Sequence, residues 1–121
     1  MAALDSEISL MPAHFQLAKT RNGRFHFNLL ASNGQVILSS QTYASKVTAR
    51  KGIASVQANA ARKSRYELRS GKGGQSHFVL KAANHRVIGA SETYSSTAKL
   101  QQGLQSVMKN GGTRAVIDET A

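Results

Sequence analysis

The sequence predicts an α+β fold: two tandem β3-α-β repeats, related by a pseudo-two-fold, that form a single antiparallel sheet with both helices packed on one face. Three observations predict it. The stretch "NGQVILSSQTYAS" (33–45) returns fifty-one residues later as "NHRVIGASETYSS" (84–96). Apolar residues alternate with a period of two ahead of each copy and change to three-and-four spacing after it. A unit of about fifty residues is marginal for a hydrophobic core of its own, so two units should share one.

The repeat is long and ungapped. Phe15–Ala60 aligns with Tyr66–Gly111 at 17 of 46 identical positions. Two copies are too few for a solenoid, whose core extends by stacking neighbours, and a closed pair is the better expectation. In the first copy "HFQLAK" (14–19) alternates, with Phe15 and Leu17 on one face. "TRNG" (20–23) is a turn with the strongest short hairpin signal, Asn-Gly. "RFHFNLLA" (24–31) sets Phe25, Phe27, Leu29 and Ala31 against Arg24, His26, Asn28 and Leu30. "SNG" (32–34) turns again, and "QVILSS" (35–40) is rich in branched residues. The result is a three-stranded meander.

From Ser45 the apolar positions are Ala49, Gly52, Ile53, Val56 and Ala60, one face of a helix of about fifteen residues. Ser45 is placed to cap it, and Tyr43 to pack on its first turn. The second copy repeats the plan with strands over 66–70, 76–83 and 86–91. Its helix is capped by Ser96 and carries Leu100, Gly103, Leu104 and Val107 on its face. Glycine in mid-helix costs about 1 kcal/mol against alanine. At the same place in both copies, Gly52 and Gly103 predict close packing, with the sheet as the expected neighbour. Asn110-Gly111-Gly112 is read as a left-handed C-terminal stop. "TRAVID" (113–118) aligns with "RKSRYE" (62–67), and each is expected to enter the sheet as a strand leaving the helix. The predicted organisation is a flexible extension over 1–13 and one domain over 14–121, built of repeats 14–64 and 65–118.

Among the 121 residues there is no cysteine, which excludes disulfides, thiolate metal sites and cysteine nucleophiles. The opening residues lack the cationic start and apolar run of a signal peptide, and no apolar run is long enough for a membrane helix. A cytoplasmic protein without membrane contact is expected. Sixteen Lys and Arg face six acids, a net charge of +10. Such a balance attracts polyanions.

The doubled "SNGQVIL/NHRVIG" turn and strand, the elements Ser40-Gln41-Thr42-Tyr43 and Ser91-Glu92-Thr93-Tyr94, and the helix segments Gly52-Ile53-Ala54-Ser55-Val56 and Gly103-Leu104-Gln105-Ser106-Val107 resemble the YegP-like family of small bacterial proteins. The resemblance covers about residues 14–111 and departs at Asn84-His85, where His replaces the turn glycine. It implies β3-α-β units that merge into one sheet with exchanged C-terminal strands. It carries over no catalytic or ligand-binding residue, because the family is biochemically uncharacterised.

Candidate chemistry is sparse. Ser-Gly-Lys-Gly-Gly (70–74) lacks the spacing and the Ser or Thr after Lys72 that a phosphate loop needs, and it aligns with the turn at 19–23. His26 and His77 are repeat mates that a two-fold could bring together on a metal. No carboxylate or thiolate accompanies them, and packed or surface imidazoles are preferred. His14 and His85 have no such symmetry. Glu67 and Glu92 stand where the other copy has Gln16 and Gln41, so neither acid is part of the repeated unit. Gly89-Ala90-Ser91-Glu92-Thr93 fails the nucleophile-elbow pattern at its last position. Tyr43 and Tyr94 are read as residues packing the strand-to-helix corner rather than as stacking platforms.

Basic residues remain. Lys19, Arg21 and Arg24 flank the first hairpin, and Arg69 and Lys72 the second. Lys46, Arg50 and Lys51 lie on the first helix, and Arg62, Lys63 and Arg65 between the copies. They are the candidate contacts to nucleic acid or another polyanion through phosphates. The expected function is a non-enzymatic, basic binding module for an unidentified ligand, with sequence-nonspecific nucleic-acid binding as the alternative. It has no predicted catalytic residue, cofactor or metal, and is expected to be a monomer with an internal pseudo-dimer.

Overall fold

The computed structural model describes residues 12–120. The predicted flexible extension, 1–13, lies outside the described residues up to position 11. Ala13 is buried, and its carbonyl accepts a hydrogen bond from Thr113 Oγ1 at 2.9 Å, so tertiary contact includes this residue ahead of the predicted boundary.

The elements run β1 (His14–Lys19), β2 (Phe25–Leu30), β3 (Val36–Ser39), α1 (Lys46–Asn59), β4 (Tyr66–Ser70), β5 (Ser76–Lys81), β6 (Val87–Ala90), α2 (Thr97–Asn110) and β7 (Val116–Asp118). Short 3-10 turns at Lys63–Arg65 and Lys72–Gly74 lead into β4 and β5. The seven strands form one sheet in the order β4-β5-β6-β3-β2-β1-β7. Each repeat contributes its meander, and the two join where β3 pairs with β6 through Ser39 and Ala90. These two residues are themselves repeat mates.

The sheet is mixed, which corrects the expectation of a purely antiparallel one. β7 runs parallel to β1, with Phe15, Gln16 and Leu17 opposite Val116, Ile117 and Asp118. The reason lies in where the chain arrives. After α2 it reaches the starting end of β1, where Thr113 binds Ala13 and the Ala115 carbonyl accepts from Phe15 N at 2.8 Å. From there it can only run alongside β1 in the same direction. The aligned segment of the first repeat does not form the expected strand of its own: Arg62 is followed by the 3-10 turn Lys63–Arg65, and only Tyr66 and Glu67 enter the sheet, as the start of β4, so the first repeat closes as β3-α.

Alternation sets the core, with one irregularity per copy. Between Leu29 and Leu30 the register against β3 slips, so Ile37 is an extra residue, and β6 does the same at Ile88. Each bulge turns a residue inward that strict alternation would turn out, and Ile37 and Leu38 both enter the core as a result. One buried cluster holds strand residues such as Phe15, Leu29, Phe78 and Leu80 together with Ile53 and Val56 of α1 and Leu104 and Val107 of α2.

Helix starts follow the predicted caps. Ser45 accepts from Thr48 N at 3.1 Å and Ser96 from Lys99 N at 3.2 Å. The end of α2 differs from expectation. Gly111 is right-handed, with φ −67, and what requires glycine is contact: a Cβ there would overlap that of Ala60, its own repeat mate. The mid-helix glycines also have a more specific neighbour than the sheet. A Cβ at Gly52 or Gly103 would overlap the hydroxyl of Tyr43 or Tyr94.

Candidate functional site

The Ser-x-x-Tyr element builds a corner twice. Ser40 Oγ accepts from Phe27 N at 2.9 Å and donates to the Gln41 carbonyl at 2.7 Å, and Ser91 makes the same two bonds with Phe78 N and Glu92. Tyr43 then exchanges both backbone hydrogen bonds with Phe25, as Tyr94 does with Ser76. The tyrosine rings stack on Phe27 and Phe78, at 6.2 and 6.4 Å between centroids. Both rings therefore pack the corner, as read from the sequence. Their edges also line something the sequence did not reveal.

Two clefts of about 460 Å³ each lie where the turn of one repeat faces the helix of the other. Cleft 1 sits between the β2–β3 turn, with Asn33, and α2, with Gly103 and Ser106; Tyr94 closes its end. Cleft 2 sits between the β5–β6 turn, with Asn84, and α1, with Gly52 and Ser55; Tyr43 closes it. Each residue lining cleft 1 has its repeat mate lining cleft 2, eleven for eleven. A central groove of about 380 Å³ along β3 and β6 shares Val36 and Glu92 with cleft 1 and Gln41 and Val87 with cleft 2. These four shared residues link the groove to both clefts across the join between repeats.

The turns hold their shape by side-chain bonds. Asn33 Oδ1 accepts from Gln35 N and Asn84 Oδ1 from Arg86 N, both at 3.0 Å, so each amide group keeps its NH2 for other partners. The phenols differ in their surroundings. Burial raises the Tyr43 pKa, and the nearby Gln41 side chain opposes that shift. Burial raises Tyr94 as well, and the nearby Glu92 charge adds to the rise.

The predicted basic residues do not form one surface. Successive antiparallel strands put the β1–β2 turn, with Lys19, Arg21 and Arg24, at the opposite end of the sheet from the β4–β5 turn, with Arg69 and Lys72 nearby. β1 and β4 are also five strand spacings apart, about 24 Å. Several cations have internal partners. Lys46 (2.5 Å) and Arg50 (3.0 Å) converge on Asp118, which ties α1 to β7. Arg69 and Lys81 both bind Glu67, at 2.6 and 2.8 Å. Arg24 Nε donates to Thr42 Oγ1 at 3.0 Å, and Lys19 Nζ lies 5.9 Å from the centre of the Phe25 ring. Arg62 precedes the 3-10 turn of Lys63–Arg65; Lys63 borders a depression with Leu104 and Met108, and Arg65 has its Nε buried without a hydrogen-bond partner. Only Lys51 among the predicted contacts lines a cleft.

His26 and His77 are not brought together. β2 and β5 are separated by β3 and β6, about 14 Å across. Among the described residues no group of three or more His, Asp or Glu side chains could hold a metal, and no helix is long and apolar enough to cross a membrane. The 70–74 segment is a turn, with Gly73 and Gly74 left-handed, as the hairpin alignment predicts.

The site residues that sequence reasoning missed had a signal. Seven of the eleven cleft pairs are identical between repeats, leaving ten identities among the other thirty-five aligned positions. Reading identity only as a folding requirement hid them.

Comparison with known proteins extends both the repeat and the fold. The family model described as "Domain of unknown function (DUF1508)" matches twice, over residues 21–67 and 72–118. A UPF0339 protein YegP from Yersinia pestis is 52% identical over 107 residues, 88% of this chain and 96% of that one. YegP from Escherichia coli K12 is 43% identical over 110 residues, covering 91% of this chain and all of its own. The solution structure of E. coli yegP, titled a protein of unknown function, superimposes with a TM-score of 0.86 at 42% identity, covering 92% and 96% of the two chains. That of a UPF0339 protein from Shewanella oneidensis gives 0.86 at 45%, covering 91% and 93%.

Proposed function

The chain belongs to the YegP-like DUF1508 family as a tandem of two domains, and from that premise we propose that it is a non-enzymatic binding module whose ligand occupies the two repeat-related clefts. The residue-for-residue equivalence of the clefts carries this reading. Each is built from both repeats, so the site exists only when the two have assembled. Its size lies in the range of small-molecule sites. Amide, hydroxyl and charged groups surround an apolar floor of Val36 and Ile37 or Val87 and Ile88.

The same reading includes a pseudo-two-fold through the join of β3 and β6, with α1 and α2 on one face of the sheet and the chain a cytoplasmic monomer. The pairing of Ser39 with its mate Ala90, and the contact of Ala60 with its mate Gly111, support the axis. The absence of an enzymatic role is supported by the inventory at the clefts. Among the described residues Glu92 is the only carboxylate at either one, and no histidine lines them.

Screening small fragments by amide resonance mapping on the labelled chain tests the proposal. Ligands should move residues of the clefts, such as Gly52, Ser55, Gly103 and Ser106, and be recovered chemically unchanged. Hits that map elsewhere, or turnover of a ligand, would overturn it. The alternative, phosphate-mediated nucleic-acid binding, draws support from the net charge of +10. It requires a mobility shift at low salt that weakens steeply as salt rises.

A further inference from the structure

The two clefts share one framework but differ in charge, and the differences are concentrated. The four non-identical pairs are Gln35 and Arg86, Gln41 and Glu92, Thr48 and Lys99, and Lys51 and Gln102. All four are polar or charged, while the apolar and glycine positions are unchanged apart from their repeat number. Among the described residues cleft 2 gathers Lys51 and Arg86 with no carboxylate, a formal charge of +2. Cleft 1 sets Lys99 against Glu92, a formal charge of zero.

We propose that cleft 2, and not cleft 1, binds a small organic anion bearing a carboxylate or phosphate on an apolar body. This rests on the reading of the clefts as ligand sites. Lys51 approaches from α1 and Arg86 from the β5–β6 turn, so the anion is held between elements of different repeats. Arginine presents a planar fork that matches both carboxylate and phosphate oxygens. The Asn84 amide, its oxygen already engaged by Arg86 N, has its NH2 to donate. Ala82, Val87 and Ile88 give the apolar body a floor. At the place where cleft 1 carries the Glu92 carboxylate, cleft 2 has the neutral Gln41. In cleft 1 the Glu92 charge reaches the end of the cavity, where it disfavours the Tyr94 phenolate, and it would repel a bound anion in the same way.

The repeat supplies the test. Lys51→Gln and Arg86→Gln install in cleft 2 the residues that cleft 1 already holds at those places. Glu92→Gln, Gln35→Arg and Gln102→Lys do the reverse in cleft 1. The intact labelled chain is titrated with benzoate, phenyl phosphate and, as a neutral control, benzamide. Benzoate or phenyl phosphate should move the amides of Lys51, Gly52 and Arg86 and leave Gln35, Gln102 and Gly103 in place. The stronger of the two identifies the anionic group. The Lys51→Gln/Arg86→Gln variant should bind at least tenfold more weakly, and the triple variant should bind the anion in cleft 1. Thermal melts confirm that each variant is folded. Equal response of both clefts, shifts spread over Lys19, Arg21 and Lys72, or benzamide binding as tightly as benzoate would overturn the assignment. If neutral fragments occupy the clefts but neither anion does, the anion assignment falls and the binding module stands. If nothing enters either cleft, both fall.

Discussion

Leu38 and Gly89 hold the same position in the two repeats, and Leu38 occupies the space in which a side chain at Gly89 would stand. A Cβ at residue 89 would lie 2.7 Å from Leu38 Cγ and Cδ2. Ala60 and Gly111 stand in the same relation. In these two pairs a residue meets its own mate where two equal side chains do not fit, and one of each pair is glycine.

This asymmetry predicts non-additive stability effects. Gly89→Val should cost about 1–3 kcal/mol by overpacking, and Leu38→Ala about 2–5 kcal/mol by leaving a cavity. The exchange Leu38→Gly with Gly89→Leu should cost less than the sum of its two single changes, since the one space is again filled once. Denaturant unfolding of the four chains gives the coupling energy. Simple additivity would show that the two residues do not share a space.

At Gly52 and Gly103 helix propensity and packing predict opposite signs. Alanine in a helix interior gains about 1 kcal/mol over glycine. Here the Tyr43 ring and Phe27, 2.9 Å from the Cβ position, stand in the way of Gly52→Ala. Gly103→Ala meets Tyr94. Each should destabilise by about 1–3 kcal/mol, and Tyr94→Phe should recover part of the loss at Gly103→Ala by removing the nearest atom. A rise in melting temperature for either single variant would contradict this account.

His85 adopts φ +69, the left-handed conformation that Gly34 takes at φ +83 in the first repeat. A residue with a side chain is strained there by about 1–2 kcal/mol, and glycine returns about 0.4–1 kcal/mol of that through the freedom of its unfolded chain. His85→Gly should therefore stabilise the protein by about 0.5–1 kcal/mol. Chemical denaturation measures it, with Gly34→His expected to move the other way.

Acid should loosen both flanks of the sheet. Lys81 and Arg69 hydrogen-bond Glu67 and lower its pKa to about 2. Lys46, then Thr120, hold Asp118 well below the usual carboxylate range. Folded values below unfolded ones mean stability that is full above about pH 4.5 and is lost as pH falls toward 2. Both carboxylates are exposed to water, so the effect is modest and weakens with salt. Asp118→Asn should flatten the stability profile between pH 4 and 2 and weaken protection of the β7 amides in hydrogen exchange. An unchanged acid limb would rule out the Lys46–Asp118–Arg50 contact as a contributor.

The sequence by itself determined the two units and nearly every element in them. Period-two alternation at Phe15–Leu17 and Phe27–Leu29, the Asn-Gly turn, the Ser45 and Ser96 caps and the apolar stripe from Ala49 to Val56 act between residues near one another in the chain, so their spacing is readable. Repetition also marked the residues that build the clefts, without saying what they build. The tertiary structure alone decided what meets across the repeats. The shared space of Leu38 and Gly89, the contact of Ala60 with Gly111, the parallel entry of β7 beside β1 and the joining of Lys51 with Arg86 all link residues that no local period relates. It likewise sent the basic clusters to opposite ends of the sheet and kept His26 from His77. Strand order and direction fix those separations, and both follow from how two meanders close on one core rather than from the spacing of residues along either one.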